Sequence, residues 1–515
     1  MSLVDEKPNI NILMVTLPLQ GHINPMLNFA KRLISKGVHV TIVTIEDSRG
    51  CMLKNAAASF SEIKLEFFSD GLSIDFDRSA DTKTFMDTMQ EKGVKNLSNL
   101  ITNLTKNQTF SCAIVNTFVP WAIEVIAKHE IPCALLWIQA SALYSIYYRY
   151  FKNIDSFPKL DDPNEKVELP GLPMLEVRDL PSFMLPSGSL QFKELLAGLF
   201  KALDKVKWVL GCSFNEIEEE IVKSMDSLTP IYPVGPLVSP FLLDEKETSN
   251  VNLDMWNAED SCIEWLDNKP DSSVIYISFG SLVVLSKKQM NNIAITLKNS
   301  NKNFLWVVKP ANNGGIQKED AAYEVPKEFL KETEGRVLVV NWCPQQKVLM
   351  HPAVACFISH CGWNSTLETL VTGVPVIGWP FWTDQPTNAK LIENVFKNGV
   401  KVNHGENGVS SVEEIERCIR DVMEGSKADE FKKKAMEIKE SARKALQEGG
   451  SSSNNFNKFI SELIVKNNQR VVKETSETKI NAEEVQVDSQ LTLLMKFEAQ
   501  KNCPKLNKKR NFNDI

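Results

Sequence analysis

Residues 10–17, INILMVTL, are nearly continuous in apolar and β-branched side chains, the pattern of a strand buried on both faces of a parallel sheet. After Asn24-Pro25, an amphipathic run places Met26, Leu27, Phe29, Ala30, Leu33 and Ile34 at helical spacing, and Lys36-Gly37 stops it. Residues 38–44, VHVTIVT, form the next strand. This βαβ start predicts an α/β, doubly wound sheet, in which ligands bind outside the carboxyl ends of the strands. The alternation breaks in the proline-rich and then polar stretch 233–254, and restarts with a strand at 273–279, a helix at 287–297 and a strand at 303–308. The expected organisation is a first α/β domain over 1–240, a linker over 241–258 and a second α/β domain over 259–448. A charged helix at 427–447 closes the second domain, followed by the loop EGGSSSNN and a helix within 449–465. The tail, 466–515, is polar with little periodicity and reads as disordered.

A length of 515 residues exceeds one core and agrees with two domains. The net charge of -7 argues against nucleic acid as the main partner. No stretch approaches the roughly 18 apolar residues of a membrane-spanning helix, and the polar start MSLVDEKPN is unlike a signal or transit peptide. A cytoplasmic protein without stable membrane insertion is expected. Ten cysteines are scattered without a CxxC pair, so neither disulfides nor a structural zinc is expected.

Two common phosphate devices are missing, since the chain has neither G-x-G-x-x-G after a strand nor G-x-x-x-x-G-K-[ST]. A third is present: residues 355–359 read as a strand, and HCGWNSTLETL reads as a tight turn running into a helix. Gly362 permits the turn, and Ser365 and Glu368 have capping-box spacing, which predicts a helix start near Asn364 or Ser365. Such a start offers free N–H groups to a phosphate. Taken singly, His360 merely ends a strand, Trp363 packs, and Ser365 and Glu368 cap each other. A second short strand, 373–378, reaches the same edge and leads into WPFWTDQPTNAK, where Thr383 or Asp384 reads as an N-cap with Pro386 in the first turn. At the other end of the chain, His22 in LPLQGHINP sits at a strand's carboxyl end, as a plain loop residue or a functional one.

Residues 342–385, WCPQQKVLMHPAVACFISHCGWNSTLETLVTGVPVIGWPFWTDQ, match along their full length the signature box of plant family-1 UDP-dependent glycosyltransferases, and the chain is identified as resembling that family. The resemblance runs from LPLQGHINP through VGPL and VIYISFGSL to GGSS near Gly449 and lapses in the tail. It implies a GT-B fold, two Rossmann-like domains facing across a cleft, with the last helix crossing back to the first domain. By position it implies that Trp342 stacks on uracil, the backbone at Cys343 meets its polar edge, and Gln345 and Glu368 serve the ribose. It puts His360, Asn364 and Ser365, with Gly280 and Ser281 from the facing loop, on the diphosphate, and Trp363, Asp384 and Gln385 on the sugar. Gln385 favours glucose, so UDP-glucose is the implied donor. No Asp-x-Asp pair lies nearby, and no metal or other cofactor is expected.

The resemblance also makes His22 the general base, inverting at the anomeric carbon. The family's usual aspartate partner is replaced by Asn116, an amide that can hold the ring but cannot stabilise an imidazolium as a carboxylate does. A weaker base suits an acceptor that is already an anion at pH 7, as a carboxylic acid of pKa about 4 to 5 is. The stretches LLWIQASALYSIYYRYF, LEVRDLPSFMLPSG and SFNEIEEE resemble the branch that makes glucose esters of indole-acetic, benzoic and hydroxycinnamic acids. A β-glucose ester of a small aromatic acid is therefore the expected product, from a monomer. O- or C-glucosylation of a polyphenol and a non-catalytic UDP-sugar binder are the alternatives. Gln20, Phe118, Trp121, Gln139, Tyr144 and Phe183 are the expected acceptor-pocket residues.

Overall fold

In the first sheet the strands are β1 (Asn11–Val15), β2 (His39–Ile45), β3 (Lys64–Phe68), β4 (Cys112–Asn116) and β5 (Cys133–Trp137), then β8 (Val206–Gly211) and β9 (Ile231–Pro233). A short antiparallel hairpin, β6 (Lys166–Val167) with β7 (Leu175–Glu176), stands apart. The second sheet holds β10 (Val274–Ser278), β11 (Asn303–Val307), β12 (Val337–Val340), β13 (Val354–Ser359), β14 (Val376–Gly378) and β15 (Gly399–Lys401). The computed structural model describes residues 10–59, 62–78, 80–243, 261–309, 324–405 and 407–467. Both sheets lie within one body, Asn9–Phe459. The expected linker 241–258 and tail 466–515 fall almost wholly outside the described residues.

Every strand pairing in the two large sheets is parallel. The first runs β3-β2-β1-β4-β5-β8-β9 and the second β12-β11-β10-β13-β14-β15. Each order reverses direction once, between β1 and β4 and between β10 and β13, and ligands of doubly wound sheets bind at such reversals. His22 follows β1 and Asn116 ends β4; Gly280 follows β10 and His360 follows β13. The sequence pattern explains the burial of these strands on both faces. Ile275, Ile277, Phe304, Trp306, Cys356 and Ile358 point into one core cluster. Their alternates, Val274, Tyr276, Leu305, Val307 and Phe357, point into the other.

Three boundaries differ from expectation. The first helix spans Gln20–Ile34, so it starts before Asn24-Pro25, takes His22 into its first turn and carries Pro25 inside. A proline that early removes only one intrahelical bond. The charged helix spans Gly425–Leu446. The loop expected across EGGSSSNN is shorter, because the last helix begins at Ser451. Gly449, at φ 83, makes the turn. That helix packs on the first sheet's layer: Phe456 meets Phe29 edge-on at 5.8 Å, Arg32 lies 4.6 Å from the Phe456 ring, and Asn455 donates to the Pro233 carbonyl at 2.8 Å. The nine cysteines among the described residues are all free thiols, eight of them buried. No helix among the described residues is long and apolar enough to cross a membrane.

Candidate active site

The turn after β13 is built around His360. Cys361, at φ 64, is the left-handed residue, a role expected of Gly362. What Gly362 provides is space: a Cβ there would lie 2.4 Å from His360 Nε2, and one on Gly280 would lie 2.5 Å from the same atom. The imidazole thus fits between two glycines from the two loops at the sheet's reversal. Its Nδ1 is buried and has no partner among the described residues. Burial, helped by the charge of Lys309, pulls its pKa down to about 4, so the ring is neutral at pH 7. Helix Trp363–Thr372 begins at once, with Gly362 as N-cap and no capping side chain.

The expected capping box is therefore not formed, because the helix starts before Ser365. Its two members do other work. Ser365 Oγ accepts from the Gln345 amide at 3.0 Å. The Glu368 carboxylate accepts from Gln345 at 2.6 Å and from Gln346 at 3.1 Å. Gln345 is itself fixed by the Tyr276 hydroxyl, which donates to its Oε1 at 3.1 Å and lies 3.3 Å from Cys343 Sγ. Half-buried Trp342 flanks this group. Glutamine amides that grip an ionised carboxylate fix its oxygens where a diol's hydroxyls would find acceptors.

Across the mouth of the same turn, Asp384 is buried and accepts from the Thr383 hydroxyl at 2.7 Å and the Asn388 amide at 2.8 Å. Burial raises its carboxyl pKa while those donors, with the Trp363 backbone, oppose the rise. Asp384 occupies the N-cap position of helix Gln385–Leu391, with Pro386 in the first turn, but its side chain does not cap it. Gln385 is buried, and its Oε1 accepts from the backbone N–H groups of Phe381 at 2.9 Å and Trp382 at 3.2 Å. The Trp363 indole is also buried, and its N–H donates to Cys212 Sγ of the first domain at 3.2 Å. This loop is stitched to the first domain by Thr383, which exchanges hydrogen bonds with Ser182 at 2.7 and 2.8 Å, and the end of β15 is tied to it by Lys401, which meets buried Asp179 at 2.5 Å.

Facing that cradle, His22 stacks on Phe118 with ring centroids 4.7 Å apart and an interplanar angle of 21°. Burial pulls its pKa down to about 4. Asn116 does not hold the imidazole, contrary to expectation. Its Nδ2 donates to the backbone carbonyl of His22 at 3.3 Å, and its Oδ1 accepts from the Phe118 N–H at 3.0 Å. The amide has one donor face and one acceptor face and uses both on the backbone, so His22 Nδ1 is left buried without a partner among the described residues. Among the expected acceptor residues, Gln20 opens the helix that carries His22, Gln139 is buried with Oε1 unpaired among the described residues, and Trp121 meets Phe68 edge-on at 6.0 Å. Phe183 stacks on Phe192 at 4.7 Å and turns toward Trp382 at 6.5 Å. Tyr144 is corrected to a core residue: it is fully buried among Trp137, Tyr148 and Phe200.

Two site features escaped the sequence reading. The Asp179 and Ser182 contacts depend on residues about 200 positions apart, for which no local pattern exists. Lys309, two residues past β11, brings a buried ammonium to the sheet's carboxyl edge; its signal was a cation directly after the strand FLWVV. Among the described residues no group of three His, Cys, Asp or Glu is placed to hold a metal ion.

The family profile for UDP-glucoronosyl and UDP-glucosyl transferase matches residues 250–444. UDP-glycosyltransferase 84B1 of Arabidopsis thaliana is 47% identical over 467 residues, covering 89% of this chain and 99% of that protein. The chain belongs to the UDP-glycosyltransferase family. Gallate 1-beta-glucosyltransferase 84A24 of Punica granatum is 39% identical over 469 residues, covering 88% of this chain and 89% of that one. The crystal structure of Os79 from O. sativa in complex with UDP superposes with a TM-score of 0.78 at 30% identity, over 88% of this chain and 100% of that one. This glycosyltransferase accordingly has the GT-B fold, with one Rossmann-like sheet carrying His22 and the other carrying His360.

Proposed function

We propose that this UDP-glycosyltransferase transfers glucose from UDP-glucose, with inversion, to the carboxylate of a small aromatic acid, giving a β-glucose ester. The half over 259–448 binds the donor, and the half over 1–240 binds the acceptor. Trp342, Cys343, Gln345 and Glu368 take the nucleoside; Gly280, Ser281, His360, Asn364 and Ser365 take the diphosphate; Trp363, Asp384 and Gln385 take the sugar. In the reaction an acceptor carboxylate oxygen forms the bond to glucose C1 while the bond from C1 to the diphosphate oxygen breaks, and UDP leaves with the electron pair. The uncapped helix start and the His360 loop face the charge that grows on the leaving group. No metal is needed in this account, and the enzyme acts in the cytoplasm.

The observation that carries the choice of acceptor is the Asn116 amide turned to the backbone of His22, which leaves the imidazole with no carboxylate beside it. A base whose pKa burial has pulled down to about 4 is poor at removing a phenol's proton, of pKa about 10, and is not required to remove any from an acid already ionised. The absent negative charge also spares an anionic acceptor repulsion. Relatives named for gallate 1-beta-glucosyl transfer, from Punica granatum and Quercus robur, support the same reading. The test is incubation with UDP-glucose and a mixed panel of aromatic acids and phenols, followed by dilute alkali. Base-labile products support ester formation; products that all survive base would replace it with O- or C-glucosylation, and UDP-glucose binding without turnover on any acceptor would indicate a binder.

A further inference from the structure

β10 and β11 stay in register up to Ile277 and Trp306, and Gly280 and Lys309 each lie three residues beyond that pair, past the carboxyl ends of their strands. Its Nζ is buried and has no hydrogen-bond partner among the described residues. A buried ammonium with no acceptor is costly, and that cost is relieved when an anion arrives. Burial pulls its pKa down to about 8, which still leaves most of it charged at pH 7. Its field reaches His360, whose pKa it lowers further after burial has acted. His360 in turn lies against Gly280 and Gly362, at the start of helix Trp363–Thr372. The full positive charge of Lys309 thus sits on the same loop cluster as a neutral imidazole and an uncapped helix end, whose own contribution is only about half a charge.

We propose that Lys309 is the cationic contact for the diphosphate of the nucleotide. The inference rests on the reading of this cradle as the UDP-sugar site. As the bond from C1 to the diphosphate oxygen breaks, the leaving UDP gains one negative charge over UDP-glucose. An ammonium held without a competing acceptor therefore favours UDP and the transition state over the bound donor. Lysine suits this task as a point charge on a flexible stem, which needs no particular phosphate orientation.

The test compares the full-length wild type with Lys309→Met and Lys309→Arg, measuring UDP and uridine dissociation constants and melting temperature with and without UDP. Met keeps the length and apolar stem of lysine and removes only the charge. Expected for Lys309→Met are a higher melting temperature without ligand, a smaller UDP-induced rise, and UDP affinity weakened about tenfold or more with uridine affinity unchanged. Lys309→Arg, which retains the charge, is expected to stay within about threefold of wild type for UDP. UDP binding at wild-type strength in Lys309→Met would overturn the proposal, as would equal losses for UDP and uridine, the signature of a structural lysine. A wild-type protein that binds neither UDP nor UDP-glucose would instead overturn the donor-site reading beneath it.

Discussion

The side-chain amide of Asn364, at the start of helix Trp363–Thr372, donates to the backbone carbonyl of Gly21, one residue before His22, at 3.2 Å. That carbonyl is available because its helical partner would be residue 25, and Pro25 has no N–H to give. A proline in one domain thus creates the acceptor that a residue of the other domain uses, and it ties the turn holding His22 to the turn that follows His360.

The first prediction is a coupling between these positions. Asn364→Ala leaves the Gly21 carbonyl to water and should lower stability by about 1 kcal/mol or less, since the bond is solvent-accessible. In a Pro25→Ala background the restored N–H satisfies the carbonyl within the helix, so the same Asn364→Ala change should cost measurably less. Melting temperatures of the two single variants and the double variant check this; strict additivity would mean that the two residues do not communicate.

A second prediction concerns Asn116. Replacing it by aspartate removes the donor to the His22 carbonyl and introduces a carboxylate next to the residue whose buried imidazole Nδ1 has no partner among the described residues. The ring's pKa should rise, because an adjacent carboxylate favours the imidazolium and opposes desolvation. Asn116→Asp should therefore raise kcat/KM for phenols relative to aromatic acids, about three- to tenfold in the ratio, which is what one to two pKa units of added basicity supply at a Brønsted slope near one half. Steady-state rates with one phenol and one benzoic-type acid decide it, and equal changes for both would remove acceptor ionisation as the reason for Asn116.

Much of the fold was legible because parallel strands buried on both faces are written as continuous apolar runs. INILMVTL became β1 and the strand expected at 303–308 became β11 within a residue or two. The turn, helix and second strand of the signature stretch were legible for the same reason, since they are local. What the sequence did not carry was side-chain direction. An S-x-x-E spacing suggested reciprocal capping, but the helix began at Trp363, and Glu368 was claimed instead by Gln345 and Gln346. Asn116 was placed correctly beside His22, yet an amide can satisfy backbone and ring alike, and spacing does not say which it chooses. Tyr144 looked like a pocket residue only because aromatic runs read the same way in a core.

The third prediction follows from the two buried imidazoles. His22 and His360 both have pKa values drawn down from 6.5 to about 4 in the folded enzyme, chiefly by burial. Below pH 6.5 the unfolded chain takes up protons that the folded one refuses until about pH 4, so folding stability falls as pH drops through that window and is fully present above it. Melting temperature should decline from pH 6.5 to pH 4, and His22→Gln or His360→Gln should each flatten part of the decline. In the upper part of that window, above about pH 5.5, ester formation should stay active, because there neither imidazole charges and an acceptor acid of pKa about 4 to 5 remains ionised.

The last prediction separates holding from recognising at Gln385. Its Oε1 secures the Phe381 and Trp382 amides, and in the proposed function its Nε2 serves the sugar. Gln385→Glu keeps an oxygen for the turn but exchanges the amide N–H donor for a charged acceptor, so a sugar oxygen that accepts from the amide would lose its donor. Gln385→Ala removes both. The glutamate variant should therefore melt near the wild type while its kcat/KM for UDP-glucose falls about a hundredfold, a loss in keeping with one charge-altered hydrogen bond to substrate. The alanine variant should lose a similar amount of activity and, in addition, about 1 to 3 kcal/mol of stability, from two backbone N–H groups left without their partner. Paired kinetics and thermal melts on the two variants distinguish the roles: if glutamate destabilises as much as alanine, the turn depends on the whole amide, and sugar recognition at Gln385 is inseparable from the loop it holds.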